Sequence, residues 1–389
     1  MIGVIADDLT GAAELGAIGW RHGLRAEIVR SGKPGRSADL VCVDTDSRAR
    51  DPQEAGRRAA AAARLLQAAG ARWIYKKVDS VLRGQVTAEV EAVMKQLKLD
   101  RALLLPANPT LGRIIRGGEY FLRGRPLHKT EFAHDPHFPR RSSQVLRLVK
   151  VPETFKMHVA NGERLLPAAT ILVGNAESTA DLQSWTAACD PAMLPAGGAE
   201  FFNALLDREE GGESAPAPAV RGRAAAGKLT VRREFFIVGT STQAARHFVA
   251  TERRRKTPVF ALPQELAWGA TFSEAATEAI AQRIIAGFEI SPRVVLNVGL
   301  PQVRDKDVAA RLSGHVVRLA ERVLQKFRVN NVFAEGGATA AELVRCMDWP
   351  RLEIVRELAP GVATLAVDGD PDFLLTIKPG SYSWPAKWT

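Results

Sequence analysis

Cysteine is scarce in this chain: three among 389 residues, at Cys42, Cys189 and Cys346. An odd, widely spaced set excludes a disulfide framework and a cysteine zinc site, and suits a reducing cytoplasm. Aromatic residues are also few, at 6%. No RNA- or DNA-binding motif accompanies them. The formal net charge of +10 is therefore read as a feature of a protein that handles anionic substrates, not nucleic acid. Long apolar runs are missing too, so no bilayer span is expected. The N-terminus runs straight into a strand and then into acids, which is not the pattern of a secretory signal.

What is present predicts two soluble α/β domains. Hydrophobic residues make up 46% of the chain, enough for a core in each half. Ile2-Gly3-Val4-Ile5-Ala6 reads as a short strand. It ends in Asp7-Asp8-Leu9-Thr10-Gly11, and Ala12-Ala13-Glu14-Leu15 begins a helix. In an open α/β sheet, ligands bind beyond the carboxyl ends of the strands. Asp8 or Thr10 is placed to cap the helix, and Gly11 to let a ligand or another segment come close. The plain alternative is that both aspartates serve only the turn.

The pattern repeats. Strands are expected at 26–29, 39–43, 72–75 and 102–105, with helices over 52–69 and 84–97. The strand at 39–43 ends in Asp44-Thr45-Asp46-Ser47-Arg48, the next in Lys76-Lys77-Val78-Asp79-Ser80, and the last in Pro106-Ala107-Asn108-Pro109-Thr110. Alternation of this kind predicts a parallel, doubly wound sheet, whose polar strand ends share one edge. Residues 111–150 are rich in Gly and Pro and read as a lid or binding loop. His134 and His137 are spaced like metal ligands, but Pro136 lies between them and no third ligand is near. A surface loop is the expectation there. One more strand at 170–173 and a helix at 179–188 complete a first domain over 1–206.

A polar, Pro- and Gly-rich linker is expected over 207–233. Within it, Gly222-Arg223-Ala224-Ala225-Ala226-Gly227-Lys228 has phosphate-loop spacing. Leu229 stands where Ser or Thr would hold magnesium, and no strand precedes it, so the match is accidental. The second domain, 234–389, again alternates strand and helix. Gly239-Thr240-Ser241-Thr242 and Gly336-Gly337-Ala338-Thr339 follow strands and open helices, and Gly380-Ser381 follows the last strand. Glycines let backbone N–H groups approach an anion, and the helix N-terminus adds partial positive charge. Three such turns converge on a nucleotide-phosphate site.

Five segments, in order along the chain, resemble the four-carbon acid sugar kinase family. Ile5-Ala6-Asp7-Asp8-Leu9-Thr10-Gly11-Ala12 is similar to its N-terminal signature. Lys77-Val78-Asp79-Ser80-Val81-Leu82-Arg83-Gly84 is similar to its K-x-D-S-T-x-R-G-N segment, and Pro106–Arg113 to its P-A-x-P-x-x-G-R stretch. Gly336–Thr339 and Lys378–Ser381 resemble its G-G-D/E-T and K-x-G strand ends. The chain departs from the family pattern at Val81, Gln85, Ala338 and Tyr382-Ser383. The resemblance implies a sugar-acid-binding N-terminal domain, an ATP-binding C-terminal domain and an active site in the cleft between them. It implies ATP-dependent phosphorylation of the terminal hydroxyl of a tetronate, with the threonate branch nearest.

Roles follow from residue chemistry placed on those motifs. Asp8 is the first candidate for the base and Asp7 the second, while Lys77 (or Lys76) neutralises developing charge. Arg83 and Lys77 suit the acid's carboxylate, since Arg binds it through a planar fork. Thr10, Asp79, Ser80, Gly84 and Asn108 complete the sugar-acid site. Ser241, Gly336, Gly337, Ala338, Thr339 and Gly380 form the nucleotide site. ATP with Mg²⁺ is the expected cofactor, on the phosphates and with no assigned protein ligand. The expected partners are the sugar acid and ATP, without nucleic acid or membrane; a homo-oligomer stays open. Competing readings are a solvated basic face at Lys76, Lys77 and Arg83, a sugar-phosphate enzyme without ATP chemistry, and a degenerate binding protein.

Overall fold

The computed structural model describes residues 1–135, 138–150, 152–160, 168–209, 232–265, 273–300, 306–367, 370–380 and 384. The chain forms two compact units, Met1–Pro218 and Ala219–Thr389.

In the first unit the elements begin β1 (Ile2–Ala6), α1 (Leu9–Arg21), β2 (Ala26–Val29), β3 (Leu40–Asp44), α2 (Pro52–Ala68), β4 (Trp73–Lys77), α3 (Val86–Leu97) and β5 (Arg101–Leu105). They continue with β6 (Arg113–Arg116), β7 (Glu119–Leu122), β8 (Arg125–Pro126), α4 (Val145–Leu148), β9 (Lys156–Val159), β10 (Thr170–Val173), α5 (Thr179–Thr186), β11 (Met193–Gly197) and α6 (Ala199–Glu209). The main sheet runs β2-β3-β1-β4-β11-β5-β10-β9, and every pairing in it is parallel. A parallel sheet is covered on both faces, so its strands read as continuous apolar runs. All five residues of β1 are accordingly buried. The alanine-rich helix α2 lies against α3, and their small side chains join those of β1, β3 and β4 in one core.

Crossovers from β1 proceed to one side through β2 and β3, then to the other through β4. The strand order therefore reverses beside β1. Such a reversal opens a crevice at the carboxyl ends of the strands, and Asp7, Asp8, Asp44 and Asp79 all lie at that edge.

In the second unit the elements are β12 (Glu234–Val238), α7 (Gln243–Arg254), β13 (Val259–Ala261), α8 (Glu274–Ile290), β14 (Arg293–Asn297), α9 (Lys306–Lys326), β15 (Asn331–Glu335), α10 (Gly337–Cys346), β16 (Arg351–Ala359), β17 (Val362–Val367) and β18 (Asp370–Lys378). The order β13-β14-β12-β15-β18 is parallel, and β17 and β16 continue it antiparallel. A stack of Phe236 on Phe333 with ring centroids 4.3 Å apart anchors this core.

Several expectations are corrected. The 111–150 stretch is not an open lid: it holds the antiparallel sheet β6-β7-β8, and Ile115, Tyr120, Leu127 and Val145 are fully buried. Its glycines supply the left-handed turns of that sheet, such as Gly117 and Gly118. The sequence reading placed no element at 193–197, where Pro195 and Gly197 argue against a central strand. Yet β11 lies in mid-sheet, pairing with β4 and β5. α6 carries helix to Glu209, three residues into the expected linker, where Asp207 accepts from Asn203 Nδ2 at 2.8 Å. The rest of that linker to residue 231, its phosphate-loop spacing, and His137 lie outside the described residues.

Candidate active site

The site is assembled by the turn after β1. Its last carbonyls bind the loop after β3: Thr45 N–H donates to Ala6 O at 2.9 Å, and the N–H groups of Ser47 and Arg48 donate to Asp7 O at 3.0 and 3.2 Å. This stitching brings the Arg48 guanidinium over both aspartates. Nε and Nη2 donate to the two oxygens of Asp7 at 2.8 and 2.9 Å, and Nη1 donates to Asp8 Oδ2 at 2.7 Å. Nη2 also lies 3.8 Å from Asp79 Oδ1. Burial pushes the Asp7 carboxyl up, but the charge and hydrogen bonds of Arg48, with the charge of Lys76, hold it below its ordinary value.

Asp8 does two things. Its Oδ1 accepts from Gly11 N–H at 2.8 Å and caps α1. Its Oδ2 accepts from Thr10 Oγ1 at 2.6 Å as well as from Arg48. The space that Gly11 leaves is taken by the Asp8 carboxylate: a Cβ there would stand 2.8 Å from Oδ1. The cap reading and the site reading of Asp8 are therefore compatible, because different oxygens serve them. The Asp8 side chain is 22% exposed against 5% for Asp7, so a substrate hydroxyl reaches Asp8 more readily.

The turn after β4 supplies the third acid. Asp79 accepts from the N–H groups of Val81 and Arg83, both at 3.1 Å, and bidentately from the Arg83 guanidinium at 2.8 and 3.0 Å. Burial would raise its pKa, but the charges of Arg83 and Arg48 and these hydrogen bonds hold it far below the carboxylate range. Arg83 also lies 3.4 Å from Asp135. Leu82 and Gly84 both take positive φ, 63° and 85°, which turns the chain so that Gly84 packs against Asp7 and Arg48.

The lysines do not form a solvated face. Lys76 is fully buried with its Nζ 2.7 Å from Glu89, and Glu89 also accepts from Ser47 Oγ at 2.8 Å. Lys77 is 5% exposed, donating to Val78 O at 3.0 Å and lying 3.3 Å from Glu14. β4 extends through both lysines, where alternation sends consecutive side chains to opposite faces. Asn108 is buried. Its Oδ1 accepts from Glu200 N–H at the start of α6, 3.2 Å away, and its backbone exchanges hydrogen bonds with Arg113. Arg113 in turn donates to Ser80 Oγ.

Asp7, Asp8, Thr10, Asp79 and Arg83 thus share one network through Arg48. Ser80 and Asn108 join its edge through Arg113. Sequence reasoning assigned no role to Arg48 or Arg113. Arg48 was visible as the closing residue of the polar cluster after β3 and Arg113 as the last residue of the Pro106–Arg113 stretch, but nothing in the spacing says which partner an arginine will take.

Asp44, at the end of β3, also stands apart. Its buried carboxylate lies 3.0 Å from Arg30 Nε. Burial pushes its carboxyl up to about 6, with Arg30 acting in the opposite direction. A raised carboxyl pKa favours the protonated form in the fold. Its contribution is therefore full below the ordinary value of 3.8 and is lost as pH rises through about 6. The change is about 3 kcal/mol over that window. The urea stability of the wild type relative to Asp44→Asn should fall by most of this amount between pH 4 and pH 7. A difference independent of pH would contradict the assignment.

In the second unit the three glycine turns close on two threonines. A Cβ on Gly239 would fall 1.8 Å from Thr339 Oγ1, and Cβ atoms on Gly336 and Gly380 would fall 2.7 and 2.8 Å from Thr240 Cγ2. Gly336 has φ 102°, and it opens α10 without a side-chain cap, so the first N–H groups of that helix lack the usual partner. Beneath the turns, Glu335 is fully buried. It lies 3.3 Å from Lys378 Nζ, and accepts from Thr240 Oγ1 at 3.2 Å and Trp384 Nε1 at 2.8 Å. Burial raises the pKa of Glu335 and lowers that of Lys378, each offset by the other's charge. Thr242 caps α7 and also donates to Gly380 O at 3.2 Å. Ser241 is partly exposed beside them. Gly336, Gly337, Ala338, Thr339 and Gly380 are therefore adjacent, and α10 presents its N-terminus there.

Among the described residues no group of three His, Cys, Asp or Glu could hold a metal ion. Glu335, the acid nearest the glycine turns in sequence, is already held by Lys378, Thr240 and Trp384. The residues therefore do not fit a protein-held magnesium centre. Among them, too, no helix is long and apolar enough to cross a membrane.

Residues 2–205 match the model of a sugar-binding N-terminal domain, and residues 235–382 that of a nucleotide-binding C-terminal domain. A D-threonate kinase of Cupriavidus necator is 30% identical over 99% of this chain and 96% of its own length. A D-threonate kinase of Salmonella typhimurium is 35% identical over 52% of each chain, so that match spans about half of either protein. A solved structure from Salmonella typhimurium superposes with a TM-score of 0.81 at 19% identity, covering 100% of this chain and 97% of its own; it is similar in fold.

Proposed function

The chain belongs to the four-carbon acid sugar kinase family, and on that premise we propose that it transfers the γ-phosphate of ATP to the terminal hydroxyl of a D-threonate-like acid. The observation that carries this reading is the clamp of Arg48 on Asp7, Asp8 and Asp79 at the point of strand reversal. It gathers carboxylates for sugar hydroxyls around one acid, Asp8, that stays partly open.

In phosphoryl transfer, positioning and charge neutralisation supply most of the rate. Asp8 accepts the proton of the attacking hydroxyl. The alcohol oxygen bonds to the γ-phosphorus, and the bond from that phosphorus to the β,γ-bridging oxygen breaks as ADP leaves. Arg48 fixes the direction of the Asp8 oxygen and holds Asp7 ionised as a hydroxyl acceptor. The glycine turns and the N-terminus of α10 receive the phosphates. Magnesium would come with the nucleotide as MgATP and would neutralise charge on its phosphates. The reading includes a cytoplasmic location, where ATP is supplied.

The test is ADP release by the purified chain with threonate, erythronate and 3-oxo-tetronate. One acid should turn over at about 1–100 s⁻¹. ATP stabilisation in a thermal melt without turnover of any acid would replace the kinase reading with that of a binding protein.

A further inference from the structure

The cations of the first-unit site are nearly all neutralised from within. Arg48 is held by Asp7, Asp8 and Asp79. Arg83, expected to meet the substrate's carboxylate, is held by Asp79 and Asp135. Lys76 faces Glu89 and Lys77 faces Glu14. Arg140, buried in the same corner, donates to the carbonyls of Phe138 and Leu82 and feels the charges of Asp79 and Asp135. The four aspartates thus take up the charge of these arginines, and a sugar acid is itself an anion. A site that binds it needs a cation with charge still to offer.

Arg113 answers that description. Among the described residues it forms no ion pair, and its one recorded side-chain partner is the neutral hydroxyl of Ser80. Its Nε is enclosed without a hydrogen-bond partner among those residues, and so is the hydroxyl of Tyr120. Buried polar atoms are rarely left so, and unpaired ones call for an explanation. The two residues share a face of the small sheet: Arg113 pairs with Leu122 and Ile115 with Tyr120 in antiparallel register, so all four side chains point the same way. Mutual hydrogen bonds at 2.8 and 3.1 Å tie the Arg113 backbone to Asn108 beyond β5. The guanidinium is thereby fixed at the same sheet edge as Asp79 and Ser80.

We propose that Arg113, with Ser80 beside it, receives the carboxylate of the acceptor substrate, and that Arg83 is a positioning residue for Asp79. This rests on the sugar-acid kinase reading. The planar fork of Arg matches a carboxylate in two parallel hydrogen bonds. A neutral analogue of the acid gains nothing from it, so Arg113 sets the preference for acids over amides and polyols.

The experiment compares D-threonate with D-threonamide in steady-state assays of the full chain, with wild type, Arg113→Gln and Arg113→Lys. In Arg113→Gln the KM for threonate should rise about 10- to 100-fold, with the KM for ATP unchanged. The wild-type preference for acid over amide should vanish. Arg113→Lys keeps the charge without the fork and should fall between the two; it also serves if the Gln variant melts early. An Arg113→Gln enzyme that keeps the wild-type KM and acid preference overturns the assignment, as does an Arg113→Lys enzyme that matches wild type when the Gln variant does not fold. A wild type that turns over no four-carbon acid fails at the earlier step: it removes the kinase reading, and this inference goes with it.

Discussion

Asp8→Asn should lower kcat for the sugar acid by about 10³-fold, within the range that a positioned general base contributes. The fold should survive, for a reason visible in the turn. Asn is as good a helix N-cap as Asp, so one amide oxygen can still accept from Gly11 N–H. What changes is the other side of the group, where Asp8 Oδ2 accepts from Thr10 and from Arg48. An amide offers one acceptor atom, not two, so either the cap or the Arg48 contact faces an NH₂. That conflict costs about 1 kcal/mol, small beside the loss of the base. The KM for ATP should not move, since the nucleotide turns belong to β12, β15 and β18. Steady-state kinetics with a thermal melt separates the outcomes. Turnover near wild type would remove Asp8 from the proton-transfer role and move attention to Asp7.

The sequence was most legible where chemistry and secondary structure share a period. Apolar β-prone runs ending in polar residues marked β1, β3 and β5, and the parallel sheet places those ends on one edge as alternation requires. The glycines at 239, 336 and 380 were legible as tight approaches. What stands against each is a threonine: Thr339 against Gly239, Thr240 against Gly336 and Gly380. β11 was illegible because Pro195 and Gly197 disfavour a central strand, and its place between β4 and β5 overrides local preference. The charge pairs were illegible for a deeper reason. Arg48 and Arg83 lie 35 residues apart by number, and each meets Asp79. Lys76 and Lys77 are neighbours in sequence, yet meet Glu89 and Glu14. Which acid neutralises which base depends on tertiary approach, and the distinction between a neutralised arginine and one with charge to offer, Arg113, exists only once those pairs have formed.

Arg48→Met should destabilise the first unit by about 3–5 kcal/mol at neutral pH, the usual penalty for removing one partner of a buried ion pair. Met retains much of the length of the arginine stem, so the loss is of charge and hydrogen bonds more than of packing. Asp79 keeps Arg83 and is cushioned. Asp7 is not: it loses a bidentate contact while staying buried. The pH dependence gives the sharper test. In the wild type Asp7 and Asp79 have depressed pKa values. Their stabilisation is present above the unfolded value near 4 and is lost as pH falls through the depressed ones. Without Arg48, burial becomes the dominant influence on Asp7, and its pKa moves above the unfolded value. Its contribution then changes sign: the variant loses stability as pH rises instead of gaining it. The deficit against wild type should therefore be greatest at pH 7 and shrink toward pH 4, where the Asp7 carboxyl can protonate in the fold. Urea titrations of both proteins at the two pH values measure it. A deficit of the same size at both would mean that Arg48 acts by packing alone, and that the three aspartates do not depend on its charge.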